Sequence, residues 1–124
     1  PVITDENVML SREHGDLPLV DGCLPIGRET FRADAMILDD LPVRRTSIVC
    51  RKNDKRVTMD FSDFPYFALW SPYKDFDVPF VCLEPWSTLP DGGYLDHAIE
   101  NKVGVRVLQP GQEETLSFST TITD

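Results

Sequence analysis

The chain has 124 residues, 21 acidic side chains against 12 basic ones, a formal charge of −9 and 41% hydrophobic residues. That is enough for one hydrophobic core and one domain of ordinary globular composition. A field of that sign repels phosphate backbones and argues against a nucleic-acid partner, and no stretch nears the roughly 20 apolar residues needed to cross a bilayer, which argues against a membrane partner. Neutral, hydroxyl-rich ligands are indifferent to the charge.

The first ten residues, PVITDENVML, carry acids and lack the basic start of a signal peptide. The chain starts on proline without a methionine, so the expectation is a trimmed initiator or a piece of a longer protein. The only helical signals are single turns at 11–14 (SREH) or 28–31 (RETF). AMIL (35–38) reads as a short buried strand. RTSIVCR (45–51), the polar turn KNDK (52–55) and RVTMDF (56–61) form a hairpin signature, with turn-forming Asn and Asp between two half-buried strands.

YFALWS (66–71) lies between Pro65 and Pro72 and reads as another buried strand, followed after a loop by PFVCLE (79–84). QPGQ (109–112) is a turn. ETLSFSTTIT (114–123) sets Leu116, Phe118, Thr120 and Ile122 against Thr115, Ser117, Ser119 and Thr121, the alternation of a strand with one buried and one wet face. The predicted class is all-β, an antiparallel β-sandwich over residues 1–124.

The 3 cysteines, Cys23, Cys50 and Cys82, are odd in number and far apart, which suits neither a disulfide framework nor a zinc site. Cys50 and Cys82 sit in apolar runs and read as small hydrophobes in a reducing cytoplasm. No metal or organic cofactor is expected.

Glu84 is the residue that asks for an explanation. Alternate strand residues share a face, so Phe80, Cys82 and Glu84 point one way and Val81 and Leu83 the other, with Trp86 on the side of Glu84. A carboxylate beside a ring and a thiol loses hydration, as a general base working near neutrality requires. The alternatives are a solvated residue just past a strand, or the partner of an arginine such as Arg44 or Arg106. Trp70 and Trp86 end apolar runs, with Tyr66, Tyr73 and Tyr94 in or near loops. Such aromatics can stack on sugar faces or serve as ordinary rim packing.

ETFRADAMIL, VTMDFSDFPYFALWSP, PFVCLEPW and NKVGVRVLQPGQEETLSFSTTI, in this order, resemble the C-terminal half of the aldose 1-epimerase (galactose mutarotase-like) family, in particular its LacX-like branch, over residues 24–123. The resemblance implies a part of a larger antiparallel super-sandwich that interconverts the α and β anomers of a hexose without a cofactor. A glutamate base takes the proton of the anomeric hydroxyl and a histidine acid protonates the ring oxygen. By this resemblance Glu84 is the base, Asp34 hydrogen-bonds sugar hydroxyls, and Trp70 borders the cleft.

The family's histidines belong to its N-terminal half, and neither His14, in a charged loop, nor His97 matches them. The resemblance therefore implies a chain inactive alone, which folds with its missing N-terminal half or with another copy of itself; a minimal self-closing sandwich is the other possibility. Two further readings stay open. One is a non-catalytic carbohydrate-binding domain using Trp70, Trp86 and Asp34, and the other a β-domain that meets protein partners.

Overall fold

A computed structural model describes residues 1–4, 9–72 and 80–124. The protein is all-β, with two antiparallel sheets. Its strands are β1 (Val2–Thr4), β2 (Leu10–His14), β3 (Met36–Leu38), β4 (Arg45–Val49), β5 (Arg56–Asp60), β6 (Tyr66–Trp70), β7 (Cys82–Trp86) and β8 (Ser119–Thr123). A five-stranded sheet has the order β2-β1-β3-β6-β7 and a three-stranded one the order β4-β5-β8. The helical turn expected at 28–31 is there as a 3-10 helix, Arg28–Phe31, that buries Phe31. The one expected at 11–14 is not: those residues lie in β2, where the backbone pairs with β1 in the register Val2↔His14. Sheet pairing overrides the polar, helix-like composition there.

The hairpin forms as expected, with Arg45↔Asp60 through Val49↔Arg56 in unbroken register. Its first strand ends two residues early, at Val49. Cys50 donates its N–H to the Lys55 carbonyl at 2.8 Å, and Asp54 adopts φ 58°, a left-handed conformation that aspartate tolerates. Cys50 is consequently exposed, contrary to its reading as a small hydrophobe: it has left the strand for the turn. Cys82 is half-buried, and all three cysteines are free thiols.

The two faces of β6 organise the molecule. Phe67 and Leu69 point to a core shared with Phe31, Met59 and Phe61, so both sheets contribute to it. Phe61 and Phe67 stack with ring centroids 4.5 Å apart, worth about 0.5–1.5 kcal/mol beyond their burial. Tyr66, Ala68 and Trp70 point to the opposite face. There Ile37, Leu10 and Leu89 form a second core with Tyr66, Trp86 and Val103 beside it. Gly104, at φ +78°, lies so close over this end that a Cβ would stand 2.9 Å from Cε2 of the Tyr66 ring. That position needs both the left-handed backbone and the missing side chain.

The C-terminal segment departs from its sequence pattern. Gly111, at φ 84°, makes the expected turn, closed by the Gln112 N–H to the Gln109 carbonyl at 2.9 Å. The strand, however, starts at Ser119 rather than Glu114, and all five of its residues are exposed. The alternation is real, since Ile122 pairs with Val57 and Thr120 with Met59 on one face. Among the described residues nothing buries that face at β8, so Ile122 is left 74% exposed.

Candidate functional site

β7 runs Cys82–Trp86 rather than 79–84, so Glu84 stands in the middle of the strand and not at its end. Pro85 does not stop the strand because β7 has one partner, β6, in the described sheet, and an edge strand tolerates a missing N–H. Phe80 falls outside β7 and is exposed. Tyr73 and the loop it belongs to lie outside the described residues.

The register Trp70↔Cys82, Ala68↔Glu84, Tyr66↔Trp86 is continuous. Paired residues share a face, so Cys82, Glu84 and Trp86 line up beside Trp70, Ala68 and Tyr66, as parity predicted. Antiparallel pairing puts the two tryptophans at opposite ends of this face, about 14 Å apart along the strands at roughly 3.4 Å per residue. Ala68, fully buried opposite Glu84, contributes only a methyl group there.

Glu84 is half-buried. The Trp86 indole N–H donates to its Oε2 at 3.1 Å. On its other flank, two residues earlier on the same face, stands the Cys82 thiol. Burial pushes the pKa of that thiol up, helped by the negative charge of Glu84. Asp34 sits just before β3, at φ 74°, with its N–H on the Phe31 carbonyl at 3.1 Å. The antiparallel pairing of β3 with β6 brings it to Trp70, whose indole N–H donates to Asp34 Oδ1 at 2.9 Å. Trp70, Glu84 and Trp86 therefore share one sheet face, and Asp34, just outside the sheet, is tied to it through Trp70, which makes two tryptophan–carboxylate pairs. The first pair was legible from parity; the second joins residues 36 apart and depends on tertiary pairing.

The arginine alternatives for Glu84 find other partners: Arg44 donates to the Phe64 carbonyl, and Arg106 pairs with Glu114 at 2.9 Å. His14 lies in strand β2, not in a loop, and pairs with Asp39 at 2.8 Å. Its row runs His14, Val2, Ile37, Ala68, Glu84 across the sheet. Four inter-strand steps of roughly 4.8 Å put it about 19 Å from Glu84, too far to reach the same monosaccharide. His97 is exposed and bonds Asp91; that bond, with the Gly92 N–H, holds the Asp91 carboxyl below its usual range against the opposing effect of burial. A groove by the end of β7 is lined by Phe64, Pro85, Trp86, Thr88, Pro90 and Lys102, and Glu84 is not among its lining residues. Among the described residues no His, Cys, Asp and Glu side chains cluster as metal ligands would, and no helix is long and apolar enough to cross a membrane.

The all-β chain thus presents two carboxylates, Asp34 and Glu84, each tied to an indole. In sequence the chain is similar to the plasmid and chromosomal forms of Protein LacX of Lactococcus lactis subsp. lactis. It is 34% identical to each over 99 residues, covering 80% of this chain and 32% of each relative. The chain thus spans about a third of the length of the curated relatives it matches. No family model matches it, and no solved structure does.

Proposed function

We propose that the chain is part of an aldose 1-epimerase-like protein that interconverts the α and β anomers of a hexose. Glu84 is the general base: it takes the proton of the anomeric hydroxyl while the bond from the anomeric carbon to the ring oxygen breaks. An acid delivers a proton to that ring oxygen, giving the open-chain aldehyde. Rotation about the bond between the first two carbons and reclosure on the opposite face complete the exchange, with no redox change and no cofactor. Asp34 hydrogen-bonds sugar hydroxyls, and Trp70 and Trp86 border the cleft.

The observation that carries this reading is the single sheet face that holds Glu84 and, through Trp70, Asp34, both half-buried and both oriented by side-chain hydrogen bonds. The similarity to LacX supports it. Given where His14 and His97 lie, we assign the acid to polypeptide beyond this chain's matched segments, in the N-terminal half of a longer protein. The three free thiols favour a reducing cytoplasmic setting.

Polarimetry on freshly dissolved α-glucose and α-galactose tests the proposal. The 124-residue chain alone should not accelerate the exchange. The protein at its natural length should, and Glu84→Gln should remove about 10²-fold or more of that rate. A full-rate Glu84→Gln variant would overturn the assignment. Sugar binding without acceleration at natural length would replace it with a non-catalytic carbohydrate-binding domain, a reading favoured by the absence of a histidine beside Glu84 among the described residues.

A further inference from the structure

We infer that Trp70 and Trp86 are positioning residues, each aiming one carboxylate of this face through its indole N–H rather than offering its ring as a platform for the sugar. The inference rests on the reading of Asp34 and Glu84 as the functional acids. The chain has 2 tryptophans, and each spends its single donor on a different one of these two acids, at 2.9 Å for Asp34 and 3.1 Å for Glu84. An indole nitrogen has one proton and accepts nothing, so neither is left to bond a hydroxyl of the ligand.

The two pairs arise by unrelated routes. Trp86 reaches the residue two before it on its own strand, along one face. Trp70 reaches across the β3–β6 pairing to a residue 36 positions earlier, which sits just before β3 in the left-handed region at φ 74°. The last torsion of a carboxylate side chain is broad and roughly two-fold, so without a tie the oxygens sweep a wide arc. A donor fixed by a strand, β7 itself for Glu84 and β6 for Asp34, restrains that freedom. The base and the hydroxyl ligand are then presented in a set direction before any sugar arrives, which is where a large share of the rate advantage of an oriented group originates.

The test needs no sugar. In ¹H–¹⁵N spectra of the protein at its natural length, Trp70→Phe and Trp86→Phe each delete one indole peak and so assign the pair. Asp34→Asn should then move the Trp70 peak upfield and leave that of Trp86 in place. Glu84→Gln should do the reverse. Should either variant lose its dispersed spectrum, Asp34→Glu and Glu84→Asp, which keep the charge and move the carboxylate by one methylene, should each shift the same indole peak and leave the other in place. Indole peaks indifferent to their own carboxylate, or shifted equally by both variants, would overturn the inference. Failure of the polarimetry would instead overturn the proposed reaction and leave these couplings intact.

Discussion

The five-stranded and three-stranded sheets are made from strands of similar length and end in opposite conditions. In β6, an interior strand between β3 and β7 in the first, Phe67, Ala68 and Leu69 are all buried, because one face meets the shared core and the other the second core of Leu10, Ile37 and Leu89. In β8, at the edge of the second, every residue is exposed although its apolar side chains share a face with Val57 and Met59. Period-two alternation therefore reports which residues share a face, and not whether anything covers it. The sheet covered on both sides carries the candidate site, as orientation requires: a carboxylate is aimed well only from a backbone that cannot shift.

That contrast can be broken or sharpened by mutation. Phe67→Ala removes a ring 1% exposed and stacked on Phe61, and should cost about 3–5 kcal/mol in denaturant unfolding. A loss near zero would mean that the shared core does not hold the sheets together. At the other extreme, Ile122→Thr changes a side chain that is 74% exposed, and should stay within about 0.5 kcal/mol. A cost several times larger would show that β8 is covered in solution, by a second copy or by further polypeptide, and would shrink the difference between the two sheets.

The parts of this fold legible in the sequence are the local ones. The hairpin of β4 and β5 was readable because Asn53 and Asp54 mark its turn, and the shared face of Cys82, Glu84 and Trp86 followed from parity alone. β1 and β2 were not readable: the first is three residues long, and the second buries Leu10 alone, so neither shows an apolar alternation. The end of β7, expected at Glu84, was misplaced for a physical reason. A proline stops a central strand, and whether β7 is central or at an edge is decided by strand order, which no local pattern encodes. The Trp70–Asp34 pair was hidden likewise, since only the β3–β6 register brings the two together.

The measurement that tests the central claim most directly is a hexose titration followed by residue-resolved NMR on the protein at its natural length. The account predicts that glucose or galactose shifts resonances of Asp34, Ala68, Glu84 and the two indoles, leaves β4, β5 and β8 unmoved, and loses most of its effect in Asp34→Asn. No perturbation by either sugar, or one centred on Phe118 and Ile122, would contradict it.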